Sequence, residues 1–218
     1  MATRRHFRVQ KFRFVFVFLV LFCLAFLAAP RVCAGSENSK EYKIKAAFLY
    51  NFFKFIEWPK EKTTDSDTIT IIIIGKNPFG KAFEPLKDRQ VNDKKVIIKH
   101  FKSIEESQPT SDQIEAIRKC HVLFVCGSEK QQFRKIISLV KEHNVLTVGD
   151  TNGFLESGGI INFVIEEQKV YFEINNNAAK QEKLNIRSKL LRLAKKVVEE
   201  NTSQIEKIEQ VHYAKYCN

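Results

Sequence analysis

The sequence lacks the usual signatures of nucleotide, metal and serine-hydrolase chemistry. No GxGxxG follows a strand to open a helix, and no GxxxxGK[ST] occurs, so neither common phosphate loop is present. Gly158-Gly159 stands alone and reads as a tight turn into a following strand. The histidines beyond the first 34 residues are His100, His121, His143 and His212, and no two lie within four residues of each other. Zinc sites are usually built from local pairs, so no metal site is expected. Cys120 and His121 are adjacent, which places them on opposite faces of a strand and excludes a dyad. Gly127-Ser128-Glu129 is not the GxSxG elbow. There are no repeats and no low-complexity linker. These absences predict no catalytic constellation and no cofactor.

What is present begins with an export signal. Arg4, Arg5, Arg8, Lys11 and Arg13 form a basic start with no acidic residue, and an apolar run follows from Phe14 to Ala29. Pro30 breaks that run, and Val32-Cys33-Ala34 offers small residues at the two positions a signal peptidase reads. Cleavage is expected after Ala34, placing the protein in the periplasm. The run is shorter than the roughly 20 apolar residues a bilayer span needs. With Arg31, the leader holds six basic residues of the chain's 36 and none of its 25 acidic ones. The net charge of +11 therefore falls to +5 in the remainder, an ordinary surface balance that excludes a nucleic-acid footprint. Residues 35–40 read as a polar leader, 41–200 as one domain and 201–218 as a polar tail.

From Glu41 the pattern is helical, with Ile44, Ala47, Phe48, Phe52, Phe55 and Ile56 on one apolar face and Pro59 as its end. Strands are expected at Ile69–Ile74, Val96–Phe101, His121–Val125 and Val145–Val148. Between them come short helices at Lys81–Asp88 and from Asp112 to Lys119, and a longer one from Glu129 to His143. Ile160–Ile165 and Val170–Ile174 read as a hairpin across Glu166-Glu167-Gln168-Lys169, and Ile186–Glu200 as a closing helix. The fold class expected is α/β: three layers, with helices covering a mostly parallel sheet of five or six strands. A C-terminal antiparallel hairpin and the closing helix complete it.

Open parallel sheets bind ligands at the carboxyl ends of their strands. Asn77, Phe79, Gly127, Ser128 and Asp150 should gather there as a ligand pocket. The first helix carries more aromatic bulk than one face can bury, which makes Tyr50, Phe53 and Trp58 a candidate partner or dimer surface. Beyond the leader the cysteines are Cys120, Cys126 and Cys217. The first two flank a strand about 20 Å long, too far for a mutual bridge.

Several segments together carry a resemblance: "IKAAFLYNFFKFIEWP", "ITIIIIGKNPFG", "CHVLFV" followed by "GSE", "VLTVGD", "GFLESGGIINFV", "VYFEINNNAA" and "RSKLLRLAKKV". In this order, across roughly residues 41–198, they resemble the YfiR family of exported bacterial regulators. The resemblance implies a periplasmic α/β domain, often dimeric, with no enzymatic activity. It implies binding to the periplasmic domain of an inner-membrane receptor, a diguanylate cyclase in the namesake type, and so control of cyclic di-GMP and biofilm. It also implies an outer-membrane lipoprotein that sequesters the regulator. Disulfides take part in that regulation; here Cys120 matches a family position, and Cys120 with Cys217 is the pairing left open. A small-molecule-binding sensor without a cyclase partner is the alternative.

Overall fold

The computed structural model describes residues 35–64, 67–86, 89–104 and 108–199. Helix α1 spans Gly35–Phe55, so the segment read as a polar leader forms its first turns. Its buried side is Ala46, Leu49, Tyr50, Phe52 and Phe53, while Ile44 is 40% exposed. The expected face is therefore rotated by about one residue. Apolar residues nearly encircle this helix, so spacing alone does not choose a face; the sheet beneath it does. Ile56–Glu57 leave the helix as strand β1, and helix α2 (Lys60–Thr64) follows.

Strand β2 (Thr68–Ile74) is the isoleucine run. Alternate residues feed opposite layers: Ile71 and Ile73 pack with α1, Ile72 and Ile74 with the other face. A 3-10 turn at Glu84–Leu86 stands where a helix over Lys81–Asp88 was expected. Strand β3 (Gln90–Val91) then hairpins into β4 (Lys94–Phe101). Asn92 and Asp93 both take positive φ, 50° and 62°, the two-residue turn that matches strand twist.

Helix α3 (Ser111–Lys119) starts one residue before the expected Asp112 and is capped by Thr110: the Thr110 hydroxyl accepts from Gln113 N–H and the Gln113 side chain accepts from Thr110 N–H. Strand β5 is Val122–Val125. The single helix expected over Glu129–His143 is a 3-10 segment, Gly127–Gln132, and then α4 (Phe133–Leu139). Glu142 and Asn144 turn left-handed (φ 65° and 56°), which stops the helix short of His143. Strand β6 (Leu146–Gly149) follows, then β7 (Ile161–Glu166) and β8 (Lys169–Asn175), joined by a tight turn at Glu167-Gln168.

Helix α5 (Asn176–Gln181) leads to β9 (Asn185–Ile186), which pairs antiparallel with β1. The expected closing helix is replaced by a four-residue helix α6 (Ser188–Leu191) and strand β10 (Lys196–Val198). Strand β10 lies parallel against β8. Val197 and Val198 are β-branched, and the open edge of β8 offers backbone partners that a lone helix end would lack.

The main sheet runs β10-β8-β7-β6-β5-β2-β4-β3. It is an α/β sheet, mostly parallel through its centre, with the β7–β8 antiparallel hairpin. It has eight strands rather than five or six, because β3 and β10 are two- and three-residue edge strands too short for a periodicity signal. One layer is built on α1, with Phe48 and Phe52 against Phe163 and Phe172. The other buries Ile117, Phe133, Ile136 and Phe154.

Candidate functional site

From β2 the chain crosses first to β4 on one side and then to β5 on the other. Such a reversal opens a crevice at the carboxyl ends of the two central strands. The loops there are tied together by side chains. Lys76 N–H donates to Ser128 Oγ at 2.9 Å, and Ser128 O–H donates to Glu129 Oε1 at 2.9 Å. Glu129 is fully buried, and its second oxygen accepts from Ile104 N–H at 3.2 Å. Gly75 makes this approach feasible: its φ is +101°, and a Cβ there would lie 2.5 Å from Ser128 Oγ.

Helix α1 brings charge to the same edge. Tyr42 O–H and Lys45 Nζ both donate to Asp150 Oδ2, each at 2.8 Å. Lys45 also pairs with Glu41 Oε1 at 2.5 Å, one helical turn earlier. The Lys45 and Asp150 side chains are 3% and 6% exposed. A buried charge persists only when paired and hydrogen-bonded, which this group achieves. The Lys45 ammonium also lies 4.3 Å from the Tyr42 ring centre. Burial, and then the Asp150 carboxylate, push the Tyr42 phenol well above its ordinary range, so it remains a donor. Burial, followed by Asp150 and Glu129, pushes the Cys126 thiol up to about 12. Such a thiol is protonated and a poor nucleophile at neutral pH.

These residues border a cleft of about 590 Å³. Lys76, Gly127 and Asp150 line it from one side, and Glu166, Glu173 and Lys195 from the other. Of the five residues expected to form a pocket, Gly127 and Asp150 are in the lining. Asn77 caps its own turn by accepting from Phe79 N–H at 2.9 Å. Phe79 is core, with ring centres 4.8 Å from Phe83 and from Phe124. Ser128 serves the loop ties described above.

The expected aromatic surface is packed inward. Tyr50 and Phe53 are 6% and 4% exposed, and Tyr50 O–H donates to Gln90 O at 2.6 Å. Trp58 is half-buried and stacks on Phe53 with ring centres 5.2 Å apart. In this conformation Tyr50 and Phe53 offer a partner almost no area, because the rotated face of α1 turns them to the sheet. Cys120 is a fully buried free thiol, pushed up to about 12 by burial. Cys217 lies outside the described residues.

Sequence reasoning missed Tyr42 and Lys45. The available signal was a lysine one turn after Glu41 on a helix otherwise rich in apolar residues, with an aspartate waiting at a strand end. Among the described residues no cluster of three or more His, Cys, Asp or Glu side chains could hold a metal ion. No described helix is long and apolar enough to cross a membrane.

Two solved structures align with part of this fold. A conserved domain protein of Vibrio cholerae O1 biovar El Tor is 12% identical with a TM-score of 0.47. An ABC domain of Streptococcus pneumoniae, determined in complex with L-Trp, is 14% identical with a TM-score of 0.49. Each alignment covers 72% of this chain, and the chain spans 60% of the length of each. At that distance they bear on neither function nor ligand. Comparison with curated proteins returned no match. A family model described as YfiR/HmsC-like matches residues 42–195, from the aspartate-bound tyrosine of α1 to the lysine that closes the cleft. The chain belongs to the YfiR/HmsC-like family, whose members are of the periplasmic-regulator kind rather than enzymes.

Proposed function

We propose that this protein is an exported periplasmic regulator that binds the periplasmic domain of a membrane-bound receptor enzyme and holds that enzyme off. The receptor proposed is a diguanylate cyclase, which would make cyclic di-GMP and biofilm formation the output. The supporting observation is the family match over residues 42–195, which takes in α1 and the sheet as far as β8. The site chemistry is in keeping with it. The two described thiols are held protonated, and the Tyr42 phenol is locked as a donor to Asp150. The mechanism is a population shift: the regulator binds one state of the receptor's outer domain better and enriches it. Moving a receptor from mostly on to mostly off needs about 5 kcal/mol of differential binding. Cleavage after Ala34, a homodimer and a sequestering outer-membrane lipoprotein belong to the same proposal.

The test is partner capture. The tagged protein, expressed with its own leader in its native host, is cross-linked and recovered from solubilised membranes. Enrichment of a diguanylate cyclase over an untagged control is the expected result. Enrichment of another receptor keeps the regulatory reading and changes the pathway, and the absence of any membrane protein overturns it.

A second reading rests on the cleft: a sensor that binds a small molecule at the strand edge. It is favoured by the cleft's size, which suits a small ligand, and by its many charged groups.

A further inference from the structure

The main sheet ends on a strand that its neighbour barely covers. Strand β4 is eight residues long, and β3 pairs with only Lys94 and Lys95. Beyond that pair Arg89 N–H turns back to Leu86 O at 3.2 Å, and the hairpin stops. Among the described residues, no strand pairs with the outer edge of β4 from Val96 to Phe101.

The bonds to β2 show which backbone groups lie on that edge. Lys95 N–H donates to Asp67 O at 3.0 Å, and Phe101 O accepts from Gly75 N–H at 3.1 Å. Successive strand residues direct their N–H and C=O groups to opposite sides. Lys95, Ile97, Lys99 and Phe101 therefore bond toward β2, and Val96, Ile98 and His100 point outward. Each of these three presents one donor and one acceptor, so an added strand can make about six backbone bonds. The edge also carries apolar surface. Val96 and Ile98 pack on the α1 layer and Phe101 on the opposite one, yet they and Ile97 are only half-buried. A strand laid alongside extends the sheet and covers them.

Charge selects the occupant. From Lys94 to Lys102 the chain reads KKVIIKHFK, four lysines and no acidic residue. Lys95, Lys99 and Lys102 are exposed, and among the described residues none of the three is in an ion pair. Strand alternation sets Lys95, Ile97 and Lys99 on one face. Like charges across a strand pair repel and opposite charges attract. A second copy of β4 would bring four more lysines to this edge, so a homodimer would use another surface.

We infer that the outer edge of β4 binds an acidic, extended segment of a partner protein. The segment adds to the sheet as a further strand, with carboxylates beside Lys95 and Lys99. This deepens the protein-binding reading proposed above and rests on it, but it does not depend on which enzyme the partner carries.

The experiment is isothermal titration of the purified protein with three peptides, each acetylated and amidated. The first is Glu-Val-Glu-Val-Glu-Val-Glu. The second has lysine in place of every glutamate. The third is the first with N-methyl groups on two successive central residues, which face opposite edges. The first should bind about tenfold or more tighter than either of the others. The N-methylated peptide keeps the charge and loses the backbone donors, so equal binding of the first and third overturns strand addition. No binding of the first at millimolar concentration overturns the inference outright. The double variant Lys95→Glu/Lys99→Glu should prefer the lysine peptide and keep the wild-type circular dichroism spectrum, since both side chains are exposed. An unchanged preference overturns the charge assignment. Partner capture with the same variant separates this inference from the receptor reading. If wild type and variant recover a receptor equally, the edge is overturned and the receptor stands. If the wild type recovers no receptor, that reading falls, and the titrations still decide the edge.

Discussion

Lys45 and Asp150 stand 105 positions apart in the chain, yet the Lys45 ammonium lies 2.8 Å from the Asp150 carboxylate, with both side chains almost fully buried. The pair fastens the middle of α1 to the residue that follows β6, at the edge where the cleft opens. Removing one member leaves the other charge buried without its counter-ion. Lys45→Met or Asp150→Asn alone should each destabilise the fold by about 3 kcal/mol. The double variant Lys45→Met/Asp150→Asn should cost clearly less than the sum of the two. Urea denaturation of the four proteins measures the coupling, and simple additivity would disprove it.

His121 predicts an acid sensitivity. Burial first, then the nearby Lys62 and Lys94 charges, lower its pKa to about 4. Its Nδ1 accepts from Thr70 N–H at 3.2 Å, which fits a neutral ring. The folded value lies below the unfolded value of about 6.5, so the unfolded chain takes up the proton first. Stability from this group is fully present above about pH 6.5 and is lost as pH falls toward about 4. The loss should approach about 3 kcal/mol. Replacing His121 with Gln should flatten the stability profile across that window, and an unchanged slope would contradict the assignment.

Gly75 and Gly80 both have positive φ, +101° and +49°, yet they should respond differently to alanine. At Gly80 nothing lies within 4 Å of the added methyl, so Gly80→Ala should cost only the backbone strain, about 1 kcal/mol. At Gly75 the methyl meets Ser128 and Glu129 at under 3 Å. Gly75→Ala should cost about 3 kcal/mol or more and loosen the cleft rim. Thermal melts of the two variants compare them directly.

Cys120 and Cys126 sit on opposite sides of the sheet, one in each core layer, and burial raises both to about 12. Native protein at pH 8 should react with a thiol reagent at these two positions only through unfolding. A Cys217→Ser variant lacking residues 1–34 keeps only Cys120 and Cys126, and should therefore show almost no fast colour development, and two thiols per chain once urea is added. Fast reaction of a described thiol would refute the burial.

Much of the fold can be read from local pattern. The isoleucine run of β2, the Val122–Val125 strand and the β7–β8 hairpin are continuous β-branched or apolar runs bounded by turn residues. What failed locally were elements decided by their neighbours. The segment from Ile186 carries apolar residues that suit helix spacing, yet the exposed edge of β8 draws Lys196–Val198 into the sheet. Asp150 and Gly127 could be placed at the strand ends from order alone. Tyr42 and Lys45 could not, because nothing local says which side of α1 faces the sheet.

The sequence by itself determined an α/β domain, its parallel centre and the edge where its loops converge, since β-branched runs and turn residues act over a few neighbours. Tertiary structure alone decided the rotation of α1, and with it the burial of Tyr50 and Phe53 and the pairing of Lys45 with Asp150. A helix with apolar residues on nearly every side has no preferred face of its own. Its orientation is set by the aromatic packing of Phe48 and Phe52 against Phe163 and Phe172, side chains more than a hundred residues away.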